Sequence, residues 1–170
     1  MSKIDFENML NKHNEKPQQD EINWEKEKEE WLTFIRQFYD SVEIWLKPYL
    51  EREQLSYKYE KITLTEEEIG SYEVNIMKIN FAGQHVKLMP IGTRLIGTKG
   101  RIDMEGTRGR VQFILADKDN RGVKTTSFIH IEGEPPDWTW KIVLREQRKI
   151  TFDDFTEENF FNALMEVSNG

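Results

Sequence analysis

The sequence predicts an α+β fold: an N-terminal amphipathic helix, a large, mostly antiparallel curved sheet or partial barrel of about six to seven strands, and a C-terminal helix packed on that sheet. Three observations carry this. An aromatic stripe of helical period runs through the first third of the chain, the period changes to two from Leu55 onward, and a strongly capped apolar segment closes the sequence.

The stripe is made by Trp24, Trp31, Phe38 and Trp45, which recur every seven residues, with Ile35, Val42 and Tyr49 four behind their predecessors. Residues 21–50 are therefore predicted helical, with Asp20 as the cap and Glu21 favourably placed against the helix dipole. Pro48 lacks the N–H of the helical ladder and should end or bend the helix near Lys47. Between Glu25 and Glu30 the stripe gives way to Glu-Lys-Glu-Lys-Glu-Glu, so the first two turns should project into solvent or toward a partner. Residues 1–20 read as a flexible polar leader ahead of one domain spanning 21–170.

From Leu55 to about Lys149, candidate strands are Ser56–Thr65, Tyr72–Phe81, Gln84–Met89, Arg101–Glu105, Val111–Asp117, Thr125–Ile131 and Trp138–Arg145. The connections are too short for crossover helices, so neighbouring strands should be antiparallel. Hairpin tips are expected at Phe81-Ala-Gly-Gln-His85 and at Asp117-Lys-Asp-Asn-Arg-Gly122. At the end of the chain Thr156 caps a helix over 156–168. Glu157 and Glu158 stand in its first turn, Phe155 staples onto Phe160, and Phe160, Phe161, Leu164 and Met165 form the docking face.

Composition narrows the chemistry. The 170 residues include no cysteine, which removes thiol nucleophiles, thiolate metal sites and iron–sulfur clusters and fits a cytoplasmic protein. No apolar run approaches the length that spans a bilayer, so no membrane insertion is expected. The formal charge of −7 argues against nucleic acid as a partner. Its distribution is uneven: residues 91–110 hold 5 Lys/Arg against 2 Asp/Glu, whereas residues 1–55 hold 8 against 13.

That local excess makes Arg94, Lys99, Arg101, Arg108 and Arg110 the candidates for binding an anion or an acidic partner. They are interleaved with Gly97, Gly100, Gly106 and Gly109, which would let a backbone approach a ligand closely. The competing reading is turn glycines with charged edge residues that deter strand-to-strand association. Gly92-Thr-Arg-Leu-Ile-Gly-Thr-Lys99 has the glycine spacing of a phosphate-binding loop, but a strand pattern follows it where a helix N-terminus is needed. Arg121 and Phe128 spoil a calcium-loop reading of 117–128. His13, His85 and His130 show no metal-ligand spacing, so no metal and no cofactor are expected.

Asp103 and Glu105 share a strand face with Arg101, while Ile102 and Met104 take the other. Two carboxylates so placed could serve acid–base chemistry, yet a strand with one solvated face looks the same, and no serine sits in a nucleophile-elbow context. No catalytic residue is assigned. Trp138, Trp140 and Ile142 share a face and should pack into the core. The best-supported expectation is a non-enzymatic, cytoplasmic protein-interaction or accessory module, with Trp24 and Trp31 as the partner-helix candidates. Its partner would be another protein or a second copy of the chain. A half-barrel binding a small molecule or anion is the alternative, and an enzyme using the strand carboxylates ranks below it.

Overall fold

The computed structural model describes residues 3–10, 23–93, 99–117, 137–146 and 149–168. Helix α1 spans residues 3–10, within the segment read from sequence as a polar leader. Helix α2 spans Trp24–Glu51, and a continuous run of strands follows: β1 (Leu55–Glu66), β2 (Gly70–Phe81), β3 (Gln84–Gly92), β4 (Gly100–Gly106), β5 (Gly109–Asp117), β6 (Trp138–Glu146) and β7 (Lys149–Asp154). Helix α3, Glu157–Val167, completes the order. The strands form one antiparallel meander in sequence order, so the sheet is open and β1 and β7 are its edges. The expected strand Thr125–Ile131 and the tip at 117–122 fall largely outside the described residues.

Local chemistry explains the helix limits. Asn23, rather than Asp20, caps α2, its side chain accepting from the Lys26 N–H at 3.1 Å. Asp20 lies outside the described residues. Pro48 does not stop the helix, which runs on to Glu51 and closes with the Arg52 N–H donating to the Pro48 carbonyl at 3.3 Å. Both Pro48 and Ile44, whose carbonyl loses its ladder partner, are exposed, so water can take up the vacated acceptor. Thr156 caps α3 as expected, accepting from the Asn159 N–H at 3.2 Å, and Phe155 meets Phe160 with ring centroids 6.4 Å apart.

Helices α2 and α3 pack on the same face of the sheet. Phe38 lies at the centre of the core, fully buried, stacked on Phe155 at 4.7 Å and edge-on to Phe113 and Trp140 at 5.2 and 5.0 Å. Val86, Leu88, Ile102, Met104, Val111, Phe113, Leu115 and Ile142 supply the floor. The core-facing residues thus alternate from β3 to β6, although Asp103, Ile114 and Ala116 on the other face of β4 and β5 are buried as well.

It breaks in β2. Pairing with β3 covers only Met77–Phe81 against Gln84–Leu88, and β2 runs on with β1 alone. The residues that meet the core change parity at that point, from Met77 and Ile79 to Tyr72 and Val74. The separation would orphan backbone groups where the strands part. Tyr39 of α2 fills this place, its hydroxyl 2.6 Å from the Asn75 carbonyl and 3.2 Å from that of Leu88. Burial raises the Tyr39 phenol well above its ordinary pKa, with the Met77 backbone acting weakly the other way.

Candidate functional site

The basic segment is where the sequence places an anion site, and most of its charge is already engaged. Lys99 stands between the polar first turns of α2 and the start of β4, its ammonium 2.5 Å from Glu27 and 3.1 Å from Glu30. The same ammonium lies 6.0 Å from the Trp138 ring centroid, and its side chain is 11% exposed. The Glu-Lys-Glu-Lys-Glu-Glu run therefore has an internal counter-charge 72 residues away in the chain.

Arg101 and Arg110 converge on Asp103. The Arg101 Nε is 2.9 Å from Oδ1 of that carboxylate and the Arg110 Nη1 is 3.4 Å from Oδ2, while Asp103 is fully buried. The Arg101 Nε and Asp103 Oδ1 are close enough to attract but poorly aligned, and neither makes a hydrogen bond. Burial raises the Asp103 pKa, and the two arginines oppose it. Glu105 accepts the outer side of Arg110 at 3.8 Å and Lys87 at 3.5 Å. Arg108 is exposed on the β4–β5 turn, where its backbone N–H donates to the Val167 carbonyl at 2.9 Å. Arg94 lies outside the described residues.

The glycines of this segment serve internal contacts. A Cβ on Gly100 would stand 2.3 Å from the Trp31 ring, and one on Gly106 would stand 2.3 Å from the Val167 carbonyl oxygen. Close backbone approach is what glycine permits, and here the approaching groups are the chain's own.

Trp24 is half-buried at the start of α2, and Trp31 is fully buried. The Trp31 indole N–H donates to the Tyr72 hydroxyl at 3.1 Å, Tyr72 donates to Glu66, and Glu66 also accepts the Thr93 N–H at 2.9 Å. The Thr93 hydroxyl donates to the Lys99 carbonyl at 2.9 Å. This chain ties the far end of the β1–β2 hairpin to the two ends of the β3–β4 connection. Trp31 in this state offers no surface to a partner.

Three features escape a linear reading. The first is a row of lysines across the face of the sheet opposite α2 and α3: Lys58 pairs with Lys78, and Lys78 with Lys87. The row continues to Glu105 and Arg110. Only the register brings residues so distant in sequence into line. The second is α1, on which Ile4, Phe6, Met9 and Leu10 are 66%, 57%, 59% and 46% exposed. The third is a tyrosine cluster in which Tyr57 and Tyr59 both donate to Glu43 Oε1, at 3.1 and 3.0 Å. Burial and the Glu43 carboxylate hold the Tyr57 and Tyr59 phenols above their ordinary pKa; for Tyr72, burial and Glu66 do the same.

His85 is bonded to Asn80 on the face opposite α2 and α3, and His130 lies outside the described residues. Among the described residues no group of three or more His, Asp or Glu side chains could hold a metal ion, and no helix is long and apolar enough to cross a membrane. No protein family, curated protein or solved structure matches the chain.

Proposed function

We propose that this protein is a non-enzymatic interaction module that docks through helix α1 onto an apolar groove of a partner protein. The exposed apolar side chains of α1 carry the reading. Phe6, Met9 and Leu10 stand at i, i+3 and i+4 and so share one face, with Ile4 apart from them. A helix of eight residues is well below the roughly 12–15 that hold together alone in water, so it needs a surface to pack on. Every residue of α1 is exposed on its own fold. A short amphipathic helix that buries such anchors in a partner's groove is a recurrent mode of peptide recognition. The domain behind it, with Trp31 in the core and the arginines drawn onto Asp103, acts as the scaffold that presents the helix.

Affinity purification of the tagged full chain, wild type against Phe6→Asp/Met9→Asp, tests this. A stoichiometric protein recovered with wild type and lost with the variant, at equal thermal stability of the two, supports the docking helix. Equal recovery with both chains contradicts it. A second copy of the chain would show itself as a dimer in sedimentation that the variant abolishes.

A further inference from the structure

We propose that the face of the sheet opposite α2 and α3 carries, across β1 to β3, a second, independent binding site, in which Lys58, Lys78 and Lys87 take a short acidic segment of a polypeptide. The three residues lie directly opposite one another on β1, β2 and β3, on the face away from α2 and α3. Adjacent strands are about 4.8 Å apart, so the three lysines leave the backbone within a span of roughly 10 Å. Like charges directly across a sheet are destabilising, so the row carries a cost within the fold.

Neighbouring carboxylates offset it only in part. Glu60 holds Lys78 at 2.5 Å and Glu105 reaches Lys87 at 3.5 Å, yet these lysine side chains remain 41% and 42% exposed, and Lys58 is exposed as well. The lysines border a shallow groove of about 600 Å³ with His85 and Asn80, whose mutual bond fixes the imidazole at its edge. Arg101, by contrast, is drawn onto the buried Asp103 at 2.9 Å, and Arg110 reaches the same carboxylate at 3.4 Å from a more exposed position.

The sign pattern along the row selects the ligand. Three cations are followed by Glu105 and then Arg110, so a long, uniform polyanion would have to cross a carboxylate on a chain of net charge −7. A short acidic stretch meets the lysine end alone. Carboxylates three or four residues apart on a helix are about 5–6 Å from one another, close to the strand spacing that sets the lysines.

The site shares no residue with α1, so either can fail without the other. Titration calorimetry of the full chain with a synthetic hexaglutamate peptide tests it, with tripolyphosphate as a competitor. Wild type should bind the peptide, and Lys58→Glu/Lys78→Glu/Lys87→Glu should weaken binding by about tenfold or more, as expected for charge reversal at a complementary surface. The neutral Lys58→Gln/Lys78→Gln/Lys87→Gln chain should fall between the two in affinity while still unfolding in one cooperative transition. No binding by wild type, or equal binding by wild type and the charge-reversed chain, would overturn the site. Displacement of the peptide by tripolyphosphate at lower concentrations than the peptide itself requires would overturn the polypeptide assignment in favour of a phosphate ligand.

Discussion

Gly100 lies against the indole of Trp31 so closely that a Cβ at this position would stand 2.3 Å from the ring. This contact seats the start of β4 under α2, beside the Lys99 ion pairs, and it gives the glycine a packing role where sequence reasoning offered a ligand. Gly100→Ala should therefore destabilise the fold by about 1–3 kcal/mol through overpacking. Chemical denaturation of the variant measures it, and a loss below the error of the fit would show that the ring can move aside.

Lys99 should behave as a structural residue. Lys99→Met removes a largely buried ammonium and leaves Glu27 and Glu30 facing each other without their shared cation. The expected outcome is a lower melting temperature. Combining it with Glu27→Gln/Glu30→Gln in a double-mutant cycle should give a favourable coupling of about 1 kcal/mol, modest because both glutamates are partly solvated. Additive effects would disprove the clamp.

Tyr72→Phe should cost about 1–2 kcal/mol, because it removes the acceptor of the Trp31 N–H and the donor to Glu66 in a single change. Its effect should not add to that of Trp31→Phe, which breaks the same chain of bonds.

Asp103 gives an unusual pH signature. Its pKa is raised in the fold, so the native state binds its proton more tightly than the unfolded chain does. Its contribution to stability should then improve as pH falls into the ordinary carboxylate range, opposite to a salt-bridged aspartate. Wild type should gain on Asp103→Asn over that descent in urea titrations at a series of pH values. A steady loss relative to the variant would mean that Arg101 and Arg110 outweigh burial.

The tyrosines predict an alkaline limit. Tyr39, Tyr57, Tyr59 and Tyr72, four of the five in the chain, have phenols raised by burial, and a proton held more tightly in the fold means stability lost as pH climbs past the ordinary tyrosine value. Absorbance of phenolate should rise cooperatively, together with loss of near-ultraviolet circular dichroism. Gradual ionisation of these four with the fold intact would be the contrary result.

Much of the fold is written in local patterns. The spacing of Trp31, Phe38 and Trp45 marks the buried face of α2, Thr156 marks the start of α3, and alternation marks β1 to β6. Strand β7 is missed because Lys149-Ile-Thr-Phe-Asp-Asp154 carries few apolar residues, as suits an edge strand with exposed Ile150. Pro48 does not end α2 because it lies on the side of the helix that faces water. The basic segment from Lys99 to Arg110 is correctly seen as a charge excess, but composition does not reveal that Asp103 and the α2 glutamates absorb most of it. The lysine row is invisible for a different reason: it exists only in the pairing of β1, β2 and β3.

Hydrogen exchange of the backbone amides of residues 3–10, in the purified protein and in the complex recovered with it, tests the docking helix most directly. These amides should exchange within seconds in the free chain, as an exposed eight-residue helix cannot protect itself, and should be strongly protected in the complex. Equal exchange in both states would contradict it, because α1 would then gain nothing from the partner.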